Sequence, residues 1–155
     1  MNHVNSQVMR MSARTRIDRV EAFALACSVD GGPVSTLADM PVRSGLVLKV
    51  TDADGCFGWG EAWCNYPPKG NLDKLALLAD PILPQLNNID LSDWQAVRPQ
   101  LERRLHRMIV HTGEPGPFAH CFAGIDMAMA DMEARRRGVS LSTLLGASES
   151  ERVLV

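Results

Sequence analysis

The sequence predicts an α+β domain: a three-stranded antiparallel meander followed by a helical bundle. Three observations predict it. Apolar residues alternate with a period of two before Cys64, and they recur at helical spacing after Asn71. The strand-like segments all precede the helical ones, the order of an α+β arrangement rather than of repeated βαβ units.

The first strand is expected over residues 17–26, with Ile17, Phe23 and Leu25 on one face and Val20, Ala22 and Ala24 on the other. A long loop rich in Gly, Pro, Ser and Asp is expected over 27–44. Leu46, Leu48 and Val50 alternate with Val47, Lys49 and Thr51 in a second strand, closed by the turn Asp52-Ala53-Asp54-Gly55. In the third strand, 56–63, Phe57, Trp59, Glu61 and Trp63 share a face. Cys56, Gly58, Gly60 and Ala62 share the other, whose small residues admit another backbone. A second loop, 64–70, carries Tyr66 and the Pro67-Pro68 pair.

Leu72, Leu75, Ala76 and Ala79 mark a short helix that stops near Pro81 and Pro84. Ser92 and Gln95 form a capping-box pattern ahead of a longer helix. Its stripe, Trp94, Val97, Leu101, Leu105 and Met108, runs through Pro99, so a kink or a restart is expected there. After a break over 111–116, Phe118, Phe122, Ile125, Met129 and Met132 follow one another at spacings of 4, 3, 4 and 3. That is the strongest amphipathic pattern in the chain. Asp131 with Arg135 and Glu133 with Arg137 are i,i+4 pairs on its polar side. Gly138 closes this helix, and a last turn ends at Gly146.

At 155 residues the chain fits one domain with a real core. A hydrophobic fraction of 46%, a charged fraction of 22% and a net charge of −2 describe an ordinary soluble protein. They give no electrostatic footprint for nucleic acid or an anionic membrane. No run is long enough to span a bilayer. Four dispersed cysteines without a CxxC pair suggest reduced thiols and a cytoplasmic location. Residues 1–15 are polar and read as a disordered leader.

Glu61 and Asp126 are read as structural carboxylates. The first stands where a strand gives way to a loop, and the second lies beside the apolar stripe of the long helix, where an acid must be paired or hydrogen-bonded. Asp131 is read as a solvated partner of Arg135. His106, His111 and His120 lack the spacing of a helical zinc pair, and the methionines of the long helix read as core filling. The two long loops are the places where ligand contacts are expected.

Val20-Glu21-Ala22-Phe23, Leu46-Val47-Leu48-Lys49-Val50, Gly58-Trp59-Gly60-Glu61, Gly124-Ile125-Asp126-Met127-Ala128 and Leu144-Leu145-Gly146 follow one another along the chain. In order and spacing they resemble the N-terminal capping domain of the mandelate racemase and muconate lactonizing branch of the enolase superfamily. The resemblance implies a cap over residues 16–147 and, over 148–155, a linker and the start of a barrel strand. A TIM barrel itself needs roughly 250 residues. It also implies that the loops 27–43 and 62–70 shape substrate specificity, which makes Val29, Trp63 and Tyr66 substrate-binding candidates.

The chemistry implied is removal of a proton next to a carboxylate, with Mg²⁺ stabilising the developing negative charge. In this branch base and metal ligands lie on the barrel, so no catalytic residue and no metal ligand is expected in this chain. The partners implied are a barrel domain in cis or trans, a small carboxylate substrate and a further copy in a homo-oligomer. The leading expectation is a capping fragment of a racemase, acid-sugar dehydratase or cycloisomerase, inert by itself. The alternatives are a stand-alone interaction module and a truncated, nonfunctional product.

Overall fold

β1 (Ile17–Ser28), β2 (Val42–Asp52) and β3 (Phe57–Glu61) form one antiparallel sheet in the order β1-β2-β3. The computed structural model describes residues 16–148 except 33, 35–38, 68, 87, 88 and 90. The leader expected over 1–15 and nearly all of the linker expected over 148–155 lie outside the described residues.

Leu46, Leu48 and Val50 have no accessible surface, and Ile17, Val20, Ala22 and Ala24 pack against the same core. Ile17 therefore belongs with Val20 and Ala22, not with the exposed Phe23 and Leu25. The reason is a register shift between Ile17 and Arg19, which turns the strand's first side chain to the opposite face. The first loop is also shorter than its composition implies. Cys27 pairs with Arg43 and Ser28 with Val42, so the connection spans only 29–41. Ladder hydrogen bonds need backbone, not apolar side chains, and polar strand ends keep pairing.

β3 presents Gly58 and Gly60 to a long helix, α3 (Pro115–Arg137). A Cβ on Gly58 would lie 2.1 Å from the Ala128 oxygen, and one on Gly60 would lie 2.0 Å from the Gly124 oxygen. From the other side, a Cβ on Gly124 would meet the Ala62 nitrogen at 3.0 Å. Strand and helix thus touch through main chain, which only glycine allows. The predicted stripe of α3 is correct throughout: Phe118, Phe122, Ile125, Met129 and Met132 are all buried.

α1 (Gly70–Leu77) differs from its sequence pattern. Its inward residues are Asn71 and Lys74, continued by Leu78 and Ile82, while Leu72 is 52% exposed. The chain does not stop at Pro81. It widens into a π turn over Leu78–Ile82, which accommodates the proline, and tightens to a 3₁₀ turn over Leu83–Leu86.

Ahead of α2 (Val97–Thr112) the cap is Asp93 rather than Ser92: its carboxylate accepts from the Gln95 N–H at 3.1 Å and starts the 3₁₀ turn Trp94–Ala96. Pro99 falls in the first turn of α2, where no intrahelical acceptor awaits its missing N–H, so no kink is required. Val97, Leu101 and Leu105 are buried, whereas Met108 is largely exposed. The expected break over 111–116 shrinks to Gly113, at φ 65, and Glu114, with Pro115 opening α3. Gly138 closes α3 at φ 66, and α4 (Leu141–Leu144) is capped by the Ser140 hydroxyl, which accepts from the Thr143 N–H at 3.1 Å.

Two carboxylates stitch α3 to the sheet. Asp131 accepts from the Trp59 N–H on the edge strand at 2.9 Å while holding Arg135 at 2.9 Å, so it is more than the solvated ion-pair partner expected. The Asp52 side chain is wholly buried. Its Oδ1 accepts from the N–H groups of Asp54 at 2.9 Å and Cys56 at 2.8 Å, and its Oδ2 from Arg136. Arg136 also donates to Glu133 at 2.8 Å, and Glu133 binds Arg137 at 2.7 Å.

Candidate functional site at the loop end of the sheet

Antiparallel pairing decides where the loops go. β1 ends, β2 begins and β3 ends at one edge of the meander, so the connections 29–41 and 62–69 leave it side by side. Their bases are tied down by hydrogen bonds. Val29 N–H donates to the Pro41 carbonyl at 2.8 Å. The Asn65 side-chain amide lies 3.1 Å from the Ser44 carbonyl and 3.3 Å from the Arg43 guanidinium, within hydrogen-bond reach of both, which sets the second loop against the start of β2. Asn71 donates to the Leu25 carbonyl at 2.8 Å, fixing α1 to β1. Lys69, in the left-handed region at φ 65, turns the chain into α1. An apolar hollow of about 360 Å³ opens here between Ala24, Ala26, Val42, Ser44, Asn71 and Leu72.

Of the residues named from sequence, Val29 is half-buried at the base of the first loop, and Trp63 and Tyr66 are exposed by 47% and 42% in the second. Trp63 has a defined bed: its ring centroid is 5.1 Å from that of His120 on α3, and Lys74 Nζ lies 6.0 Å from the ring. Glu61 is the exposed last residue of β3, opposite Val47. Asp126 is half-buried on α3 and makes no hydrogen bond among the described residues.

Burial pushes the His120 imidazole below its ordinary pKa, and the nearby Lys74 charge lowers it further. Burial raises the thiol of Cys121 to about 12, against the opposing pull of Lys74. Cys64 is raised for the same first reason, with Glu61 adding to the effect and Lys74 opposing it. All four cysteines are free thiols.

Sequence reasoning missed Lys74. The signal was available in its spacing, i to i+4 to i+8, with Leu78 and Ile82, but a lysine does not read as part of an inward stripe. His120 was weighed only as a metal ligand; its place beside Trp63, one helical turn before Gly124, was not foreseen. Among the described residues no three His, Cys, Asp or Glu side chains converge on a point that would hold a metal ion, so the donor set here does not fit a magnesium site. No helix among the described residues is long and apolar enough to cross a membrane.

Comparison with known proteins places this geometry. The mandelate racemase / muconate lactonizing enzyme N-terminal domain profile matches residues 28–146. No curated protein matches the chain. A mandelate racemase/muconate lactonizing enzyme from Bordetella bronchiseptica RB50 shares 33% identity over 88% of this chain and 34% of its own, with a TM-score of 0.74. A member of the enolase superfamily from Polaromonas sp. JS666 shares 25% over 86% and 34%, with a TM-score of 0.71. A mandelate racemase/muconate lactonizing protein from Paracoccus denitrificans PD1222, in complex with magnesium, shares 27% over 86% and 31%, with a TM-score of 0.61. The chain thus spans about a third of the length of these relatives. The meander, the helices behind it and the matched span together show that this chain belongs to the mandelate racemase/muconate lactonizing enzyme family of the enolase superfamily, whose N-terminal domain it carries.

Proposed function

We propose that this chain is the capping, substrate-specificity domain of a magnesium-dependent enzyme that removes a proton next to a carboxylate: a racemase, an acid-sugar dehydratase or a cycloisomerase. The observation that carries the reading is that the connection from β1 to β2 and the one leaving β3 start from the same end of the sheet. Val29, Trp63 and Tyr66 contact substrate there, and Glu61 and Asp126 serve the fold. A barrel domain, in cis or trans, supplies the base and the metal ligands. Val139, Leu141 and Leu145, exposed by 39%, 40% and 65%, offer it apolar docking surface. The assembled enzyme works in the cytoplasm as a homo-oligomer.

The test is a chimera of this cap with the barrel of the Bordetella bronchiseptica relative, assayed for α-proton exchange in D₂O across hydroxy acids and sugar acids. The chimera is expected to exchange with a preference shifted from that of the barrel's own parent. Exchange by the purified 155-residue chain alone, or an unshifted preference, would sink the reading.

A further inference from the structure

Trp63 is held at its backbone and at its ring. On one side of it Ala62 is buried and donates its N–H to the Leu46 carbonyl at 2.9 Å; on the other, Cys64 is buried as well. With the main chain fixed before and after, the side-chain torsions of Trp63 are what remain to be set. The residue is 47% exposed, so enclosure by a core does not set them. What meets the indole is His120: the ring centroids are 5.1 Å apart and the planes are inclined at 58°, the geometry of an aromatic pair. Lys74 Nζ, at 6.0 Å from the ring, stands at the limit of a cation–π contact.

No hydrogen bond explains the place of His120. It makes none among the described residues, and its Nδ1 is sealed from solvent. A polar atom buried without a partner costs stability, so the position is kept for something other than polar bonding. Burial and the Lys74 charge both favour the neutral imidazole, which meets the indole as an uncharged ring. Nor can the ring drift. His120 lies one turn before Gly124, where a Cβ would come within 3.0 Å of the Ala62 nitrogen. The approach of α3 that fixes the root of the second loop therefore also fixes the imidazole against that loop's first aromatic residue.

We propose that His120 is a positioning residue: it props the Trp63 indole as a fixed platform at the loop end of the sheet, for an apolar or aromatic side chain of the substrate. This rests on reading that end as the substrate-facing cap, and it names what sets selectivity there. A ring already held in place takes up a flat apolar group without first losing its own freedom, which an unsupported ring must lose on binding.

Two measurements test it. In the 155-residue chain, NMR follows the Trp63 indole N–H. His120→Ala is expected to move that resonance toward the averaged position of a free indole, and His120→Phe, which keeps a ring, to hold it away from there. A resonance indifferent to His120→Ala overturns the proposal. In the chimera described above, 3-phenyllactate and lactate compete with whichever acid is exchanged fastest. His120→Ala is expected to weaken phenyllactate about three- to tenfold relative to lactate, the size of one aromatic contact, and His120→Phe to restore it. In a Trp63→Ala background, His120→Ala should change the ratio no further, because His120 acts only through the indole. If His120→Ala fails to fold, His120→Leu keeps the bulk without the ring and is expected to show the same loss. Equal losses for both acids, additive effects of the two substitutions, or no rescue by His120→Phe overturn the proposal. A chimera without exchange sinks the capping reading and this proposal with it. An active chimera whose phenyllactate-to-lactate ratio ignores His120 sinks this proposal alone.

Discussion

Gly60 and Gly124 meet so closely that a Cβ on the strand residue would come within 2.0 Å of the helix residue's carbonyl oxygen. No rotamer relieves such a contact, because both partners are main chain. Gly60→Ala is therefore expected to lower stability by about 3 kcal/mol, at the upper end of overpacking costs. Gly116→Ala is the control: a Cβ there meets nothing within 4 Å, and the substitution should be neutral or mildly stabilising. Urea denaturation of the two variants checks the contrast, and similar midpoints would refute it.

The buried Asp52 depends on Arg136 for its second oxygen. Arg136→Met leaves that carboxylate uncompensated and is expected to cost about 3–5 kcal/mol. Adding Asp52→Asn, which keeps an acceptor for the Asp54 and Cys56 N–H groups, should recover part of the loss. A double-mutant cycle by chemical denaturation measures the coupling, and strict additivity would show that the pair contributes nothing as a pair.

These two contacts also show how much the sequence revealed. The small face of β3 and the spacing of the α3 stripe were legible, because both are periodic patterns that burial enforces. The Asp131 bond to the Trp59 N–H was not, since it joins residues far apart in the chain and the same aspartate already had a plausible local partner in Arg135. The inward face of α1 was legible only in part: Leu75 does pack against the core, but Leu72, which outweighs Lys74 on any hydropathy scale, faces out. Tertiary anchoring of Asn71 to Leu25 instead turns the lysine inward. At the candidate site, Trp63 and Tyr66 could be named as loop residues, but the His120 and Lys74 bed beneath Trp63 requires three segments to be brought together.

His120 predicts a pH dependence of fixed sign. Its folded pKa lies below its ordinary 6.5, so the unfolded chain takes up the proton more readily. The contribution of the neutral ring to stability is fully present above 6.5. It declines as pH falls from there to the folded pKa, and is level below that. His120→Phe should flatten this limb of the thermal midpoint against pH. An unchanged slope would assign the dependence elsewhere.

Thiol reactivity should divide by position. Cys27 is exposed, whereas Cys64 and Cys121 are buried, and the Cys121 thiol is raised to about 12. Since the thiolate is the nucleophile, Ellman's reagent is expected to label Cys27 promptly in the native protein, and Cys121 and Cys64 only on unfolding. Peptide mapping after a short native exposure checks the order, and early labelling of Cys121 would contradict the burial described.

The glycine seam between β3 and α3 has a consequence for how such a domain can diversify. A joint made of side chains can drift, one neighbour shrinking as another grows. A joint made of backbone has no such exchange rate, so positions 58, 60 and 124 leave mutation almost nothing to try. The loops at the far end of the same strands rest on separate anchors, at Asn65, Asn71 and Pro41. Novelty can therefore accumulate there without disturbing the sheet that carries them.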